Sequence, residues 1–214
     1  MPNRLRIGMT ASLTGKFASM GSQALAGVES WIEDYNNTNY LNHSKNKDSF
    51  RIELVYYDDH SSIKDTKSWY QQLIIKDKVD LLFGPYGSNL TKAASLVASE
   101  NNRVLWNHGG ALVSKSGAKL DKLINILSPA SSYFHGLLSL MKESSTEPPR
   151  LAIFYSGQSL FGKAVAQGAI KQARKLAIPV VVCLQYETST KDMLATINSM
   201  QPDVIIGAGQ IQDD

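Results

Sequence analysis

Short apolar runs recur along the chain and predict eight β-strands. They cover residues 4–11, 50–57, 79–83, 103–106, 122–126, 150–155, 180–185 and 204–207. Most of these runs are continuous, whereas a strand with one face in water alternates between apolar and polar residues. Continuous runs are typical of strands that are buried on both faces of a parallel sheet.

The segments between these runs place apolar residues at the three- and four-residue spacing of an α-helix. We expect the apolar faces of these helices to pack on the sheet. Helix starts are predicted at Ser62 and Ser189, because each serine is followed three residues later by an aspartate, the spacing of a capping box. The predicted faces are Ala24, Val28, Trp31, Ile32 and Tyr35; Leu90, Ala93, Ala94 and Val97; Phe134, Leu137, Leu138 and Met141; and Phe161, Val165, Gly168 and Leu176.

Strands that alternate with helices predict an α/β fold with doubly wound parallel sheets and right-handed crossovers. The Pro-rich polar segment 144–149 is the clearest break, but the fifth strand ends earlier, near residues 127–129. We therefore expect an N-terminal ligand-binding lobe of residues 1–127 and a partial C-terminal lobe of residues 128–214. The N-terminus enters a strand almost at once, so no signal peptide is predicted. The chain stops shortly after its last strand, which predicts a truncated second lobe.

Composition and charge exclude several classes of function. The chain has 214 residues, of which 43% are hydrophobic, and this is enough for one large domain or two small lobes. The net charge of +3 comes from scattered residues, so no nucleic-acid surface is expected. No apolar run approaches the roughly 18 residues of a membrane span. The only cysteine, Cys183, excludes an internal disulfide and is predicted to be a buried thiol.

Motifs for catalysis or cofactor binding are incomplete. The pair Gly207 and Gly209 begins a dinucleotide fingerprint that does not continue, and His108 starts a His-Gly-Gly loop without a nucleophile elbow elsewhere. The four histidines lack metal-ligand spacing. The acids Asp58 and Asp59 are candidates for acid–base chemistry, although capping and binding of loop amides is the favoured interpretation. We therefore expect binding without an enzymatic reaction, a metal or a cofactor.

Two glycine-rich loops follow neighbouring strands and carry the main functional signal. The loop 84–87 leads into Ser88, where a helix is predicted to begin, and the loop 107–111 follows the next strand. The amides at a helix N-terminus, together with a hydroxyl group, hold small anions such as carboxylates. Ligands of such sheets bind beyond the carboxyl ends of the strands. The two loops therefore predict a site for a small molecule.

Four segments in order resemble a known family. They are residues 7–15 with Gly21 and 26–27, residues 53–59, residues 79–91, and residues 152–155 with 161–162. They are similar to the extracytoplasmic solute-binding proteins of ABC transporters for branched-chain amino acids, amides and urea. These proteins have the type I periplasmic-binding-protein fold, in which two lobes close on a solute. The resemblance implies a small polar solute as ligand and the transporter permease as partner.

The resemblance also implies which residues bind the solute. The first lobe would contribute the Ser88 hydroxyl, amides near Asn89 and backbone groups of the second loop, and the second lobe would contribute Phe161 and Gln210. Tyr86 and Trp106 are candidates for an apolar wall, with core packing as the alternative for Trp106. The predicted ligand-binding residues are Ser88, Asn89, Tyr86, Gly109, Gly110, Ala111, Met20, Phe161 and Gln210.

Some positions depart from the family pattern and leave alternatives open. Ala111 stands where amino-acid binders often have Ser or Thr, Met20 where an aromatic residue is common, and Gln210 where Tyr is common. An amino acid, an amide and a urea-like solute therefore all remain candidates. A ligand-binding sensor domain of a receptor or signalling protein is the alternative function, and a fragment of an α/β enzyme is a weaker one.

Overall fold

The computed structural model describes residues 3–40, 50–111, 121–186 and 191–209. The chain divides into two compact units, the first of residues 1–110 and 114–127 and the second of residues 111–113 and 128–214. Both units consist of parallel strands and helices, which confirms the α/β prediction.

The first unit is built on a parallel sheet of five strands in the order β2-β1-β3-β4-β5. The strands are β1 (Asn3–Ala11), β2 (Phe50–Asp58), β3 (Leu81–Phe83), β4 (Leu105–Asn107) and β5 (Leu123–Asn125). The helices are α1 (Ala18–Asp34), which continues into a π-helix (Tyr35–Tyr40), α2 (Ile63–Ile75) and α3 (Ser88–Glu100). In the sheet, Ile7 pairs with Leu54 on one side and with Leu81 on the other, so β1 lies between β2 and β3. Because all strands are parallel, the loops that follow them lie at one edge.

The buried face of α1 differs from the predicted one. Gly21, Leu25 and Ile32 are the buried residues of this helix, and Val28 packs beside them. Trp31, predicted to face the core, is 47% exposed. The helix is therefore rotated so that the stripe 21–25–28–32 faces the sheet, and Trp31 lies at the margin of that stripe.

The predicted start of α2 is confirmed by its cap. The Ser62 side chain accepts a hydrogen bond from the Asp65 amide at 3.3 Å, which satisfies one of the unpaired amides of the first turn. The similar prediction at Ser189 lies outside the described residues.

The second unit contains a parallel sheet of three strands in the order β7-β6-β8. Its strands are β6 (Leu151–Ser156), β7 (Val180–Tyr186) and β8 (Val204–Ala208). Its helices are a 3-10 helix (Ala130–Ser132), α4 (His135–Ser144), α5 (Leu160–Lys175) and α6 (Lys191–Met200). No helix of the described residues is long and apolar enough to cross a membrane.

Two burial predictions for the second unit are wrong. Cys183 is exposed, because β7 lies at the edge of the three-stranded sheet and not between two strands. Leu137 is 44% exposed, whereas Leu138 of the same helix is completely buried against Leu151 and Ile153 of the central strand β6. An apolar run in the sequence does not distinguish a central strand from an edge strand.

Candidate functional site

The helix α3 begins at the carboxyl end of β3 with its first turn uncapped. No side chain of a described residue caps its N-terminus, and the residue before it, Gly87, has a φ of 91°, which favours glycine. Ser88 is the first residue of the helix and only 6% exposed. Its hydroxyl makes no hydrogen bond to any other described residue. The first turn therefore offers backbone amides and one hydroxyl group at the same edge of the sheet.

The buried side chain of Asn107 holds the second loop in shape. Its Oδ1 accepts hydrogen bonds from the Gly110 amide at 2.8 Å and from the Gly109 amide at 3.2 Å. Its Nδ2 donates to the Gly110 carbonyl and, at 2.6 Å, to Oδ1 of Asn125. Both glycine amides are therefore used within the protein. The role of Asn107 was missed in the sequence, although a polar residue that ends a buried strand is a signal for it.

The two loops lie directly against each other. The Gly87 amide donates to the Gly109 carbonyl at 2.8 Å, and Thr91 Oγ1 donates to the Pro85 carbonyl at 3.1 Å. A Cβ atom on Gly109 would lie 2.6 Å from the Pro85 oxygen, so only glycine allows this approach. The structure thus brings together Tyr86, Ser88, Gly109 and Gly110 as the sequence predicted.

The loop between β1 and α1, residues 12–17, reaches this site through an aromatic residue that the sequence did not single out. Phe17 is 6% exposed, and its ring meets Tyr86 edge to face with the ring centroids 5.7 Å apart. Met20, the predicted contact, lies three residues further along and is partly exposed on the first turn of α1. Phe17 and Tyr86 form the aromatic wall of the site. An apolar residue just before a helix start is the signal that points to Phe17.

The acidic pair at the end of β2 binds loop donors. Asp58 accepts from the Leu13 amide at 2.9 Å, from the His60 amide at 2.8 Å and from Thr14 Oγ1 at 2.9 Å. Burial raises the pKa of Asp58, but these hydrogen bonds outweigh burial and hold its pKa below the usual range. The interpretation as an acceptor of loop amides is confirmed, whereas the cap of the next helix is Ser62.

Asp59 is completely buried and accepts three hydrogen bonds. They come from Thr10 Oγ1 at 2.7 Å, Ser12 Oγ at 2.6 Å and the Ser61 amide at 3.0 Å. Burial raises the pKa of Asp59 above its usual range, although the hydrogen bonds oppose this effect. With its acceptor positions occupied by the protein, this carboxyl group is part of the loop structure.

His108 belongs to the second loop, and its side chain is partly buried. Burial lowers the pKa of its imidazole, and its ring meets Phe83 edge to face at 6.5 Å. Its Nε2 is buried without a hydrogen-bond partner among the described residues. No group of three or more His, Cys, Asp or Glu side chains suited to a metal ion occurs in the described part of the chain.

Trp106 lies in neither of the two predicted positions. It is 38% exposed and lines an apolar groove of about 310 Å³ with Val28, Trp31, Phe83 and Ile126. None of the predicted ligand-binding residues that the structure describes lines this groove. Trp106 is therefore neither buried in the core nor part of the wall beside Tyr86.

The remaining predicted residues belong to the second unit or lie outside the description. Phe161 is in the first turn of α5, where its ring meets Tyr133 edge to face at 5.5 Å. The Ala111 carbonyl accepts a hydrogen bond from the Ala130 amide at 3.1 Å, and Gln210 lies outside the described residues. In the first unit, Asn89 is the second residue of α3 and is partly exposed.

Several solved structures have the same fold. A solute binding protein of an ABC transporter from R. palustris, in complex with 4-hydroxybenzoate, matches with a TM-score of 0.76 at 17% identity, over 96% of this chain and 54% of that one. A leucine binding protein from Thermotoga maritima matches with a TM-score of 0.72 at 17% identity, over 95% of this chain and 55% of that one. An amino acid ABC transporter substrate-binding protein from Pseudomonas fluorescens Pf-5 matches with a TM-score of 0.77 at 16% identity, over 96% of this chain and 53% of that one.

This chain thus spans little more than half the length of the structures that it matches. Its sequence also matches the profile of the family described as periplasmic binding protein, over residues 4–213. The match covers almost the whole chain, and it agrees with the α/β fold and the parallel sheets described above. The chain therefore belongs to the periplasmic binding protein family.

Proposed function

We propose that this chain is part of an extracytoplasmic solute-binding protein whose first unit holds the carboxylate, or an equivalent polar group, of a small solute. The single observation that carries the proposal is the uncapped first turn of α3, with the nearly buried Ser88 hydroxyl beside it. A nearly buried hydroxyl that makes no hydrogen bond to another described residue is suited to an external acceptor.

The physical basis is the field of the helix. The N-terminus of a helix carries a partial positive charge, and its free amides point toward the ligand. A carboxylate that accepts hydrogen bonds from these amides and from Ser88 gains charge-assisted bonds, each worth about 1.5–3 kcal/mol. Such bonds require no positively charged side chain and no metal.

The aromatic wall indicates which chemical group is attached to the polar group of the solute. Phe17 and Tyr86 present ring surface close to Ser88, which suits an apolar body attached to the polar group. Leucine and 4-hydroxybenzoate, the ligands in the names of two structural relatives, both combine a carboxylate with an apolar body. We therefore propose an amino acid or another small carboxylate of this kind, with an amide as the nearest variant.

We further propose that the protein passes this solute to an ABC transporter permease without changing it chemically. Membership in a family of binding proteins supports this role. The hydrogen bonds made by Asp58 and Asp59 support it too, because both carboxylates are engaged by loop donors. Contacts from Met20, Phe161 and Gln210 to the solute remain predictions.

A thermal-unfolding screen with leucine, glutamine, acetamide, urea and 4-hydroxybenzoate tests the proposal. A ligand at 100 times its Kd stabilises the folded state by about 2.7 kcal/mol, so a true ligand raises the Tm measurably. We expect leucine or 4-hydroxybenzoate to do so and urea to have a smaller effect. A Tm raised by none of the carboxylates would contradict the proposal.

A matched pair of serine variants locates the site. Ser88→Ala should weaken binding of the carboxylate by about 10- to 150-fold, because it removes one hydrogen bond to a charged group. Ser95→Ala is the control, since Ser95 is also buried in α3 but bonds to the Lys92 carbonyl about two turns away from the site. Equal affinities of the two variants would remove Ser88 from the site.

A further inference from the structure

We infer that Asp59 is a positioning residue that fixes Phe17, and through Phe17 the aromatic wall beside the serine loop, residues 84–88. The inference builds on the proposed function, because the wall is taken as part of the solute site. The hydrogen bonds and the ring contact that connect Asp59 with the wall involve no solute.

Asp59, the residue after β2, forms hydrogen bonds with the end of the neighbouring strand β1. Asp59 Oδ2 accepts from Thr10 in β1, and Asp59 Oδ1 accepts from Ser12, the first residue after β1. The Asp59 amide also donates to the Ala11 carbonyl at 3.2 Å. The end of β1 and the first residue of the loop 12–17 are thus tied to a single buried residue at three points.

Ser61 connects Asp59 with Phe17 through hydrogen bonds. The Ser61 amide donates to Asp59 Oδ1, and Ser61 Oγ accepts from the Phe17 amide at 3.0 Å. The same hydroxyl donates to the Thr14 carbonyl at 3.0 Å. Ser61 has a φ of 56°, a conformation that non-glycine residues adopt only when the surroundings hold them there. Asp59 supplies one of these restraints.

Phe17 in turn packs against the serine loop. The Phe17 ring contacts Tyr86 edge to face, and a Cβ atom on Gly87 would lie 3.5 Å from the Phe17 ring. The residue after Gly87 is Ser88, the proposed hydroxyl donor to the solute. A displacement of Phe17 therefore alters the wall within one residue of the group that binds the solute.

The three donors around the Asp59 side chain require acceptor atoms at this position. All three partners of the Asp59 side chain donate to it, and a carboxylate has lone pairs for all of them, whereas an aliphatic side chain has none. Asp59→Ala therefore releases Ser12 and Ser61 together. We expect the Phe17 amide to lose its fixed partner and the ring to leave its contact with Tyr86.

The test uses fluorine NMR of the chain labelled with 3-fluorotyrosine, with the Tyr86 resonance assigned from Tyr86→Phe. Phe17→Leu calibrates the shift caused by loss of the ring contact. Asp59→Ala should move the Tyr86 resonance in the same direction by at least half of that shift. Asp80→Asn is the control, because Asp80 accepts from the Arg6 amide nearer the start of β1 and should leave the resonance in place.

A folded Asp59→Ala protein with an unmoved Tyr86 resonance would overturn the inference. If Asp59→Ala does not fold, Ser61→Ala removes the hydroxyl that accepts from the Phe17 amide, and an unmoved Tyr86 resonance in that variant would overturn the inference as well. The fluorine measurement needs no solute. A moved resonance in a chain that binds neither leucine nor 4-hydroxybenzoate would therefore reject the proposed function and keep the role of Asp59.

Discussion

Replacement of Gly109 by alanine tests how closely the two loops of the site are packed. The new Cβ atom would lie 2.6 Å from the Pro85 oxygen and 2.7 Å from the Tyr86 Cα. Carbon atoms in contact are about 3.5–4.0 Å apart, so the serine loop must retreat by about 1 Å. Both neighbours are backbone atoms, which cannot move aside by a change of rotamer. The retreat also stretches the 2.8 Å hydrogen bond from the Gly87 amide to the Gly109 carbonyl.

The expected cost follows from these contacts. Overpacking of this kind costs about 1–3 kcal/mol, and the weakened hydrogen bond adds about 1 kcal/mol. Alanine restricts the unfolded chain and returns about 0.4–1 kcal/mol. We therefore expect Gly109→Ala to lower the free energy of unfolding of the first unit by about 1–3.5 kcal/mol.

Urea unfolding followed by tryptophan fluorescence measures this effect in the first unit alone. The three tryptophans of the chain, Trp31, Trp69 and Trp106, all belong to that unit. Gly27→Ala is the matched control, because a Cβ atom added to Gly27 in α1 would have nothing within 4 Å. Alanine in the interior of a helix is about 0.5–1 kcal/mol more favourable than glycine, so the control should be stabilised.

The two variants should thus shift the urea midpoint in opposite directions. A Gly109→Ala protein as stable as the wild type, with an unchanged dependence on urea, would refute the close packing of the two loops. It would also remove the argument that Gly109 is required to bring Tyr86 next to the second loop.

Three further predictions concern the titration of Asp58 and Asp59 and the exposure of the Cys183 thiol. Because the pKa of Asp58 is lowered in the folded state, Asp58 stabilises the protein above its unfolded pKa and loses this contribution as the pH falls through the folded pKa. Asp58→Asn should therefore destabilise the protein more at pH 7 than at pH 3. Asp59 has a raised pKa in the folded state, so its contribution to stability is present at low pH and is lost as the pH rises through the folded pKa. Asp59→Asn should therefore destabilise the protein more at pH 3 than at pH 7. Urea unfolding at both pH values measures these effects, and the same pH dependence in both variants would contradict the two predictions. Cys183 should react with a maleimide in the native protein, more slowly than a free cysteine because burial raises the pKa of its thiol, and labelling only after denaturation would contradict its exposure.

The strands and the position of the site were predictable from the sequence because both depend on local signals. Every predicted strand is present, and its ends differ from the prediction by at most two residues. Continuous apolar runs mark buried parallel strands, and glycine and proline mark their ends. The order of strand and helix then places the loops at one edge, which is why Ser88 and Gly109 come together.

The remaining features depend on contacts between distant segments. The rotation of α1 that exposes Trp31 is set by packing on the sheet, and the exposure of Cys183 is set by the order of strands. Phe17 and Asn107 have no sequence motif, because their roles arise from loops that meet only in the folded chain. Local patterns predict elements, whereas these contacts require the arrangement of the sheet.

A small carboxylate bound at the first turn of α3 would change the environment of the amides in that turn, and amide NMR detects such a change. The chain labelled with nitrogen-15 is titrated with leucine and with 4-hydroxybenzoate, and the amide resonances of Ser88 and Leu90 are followed. We expect saturable shifts at these amides that need about 10- to 150-fold more solute in Ser88→Ala and are unchanged in Ser95→Ala. Saturable shifts confined to other residues, or no saturable shift with either solute, would contradict binding at this turn.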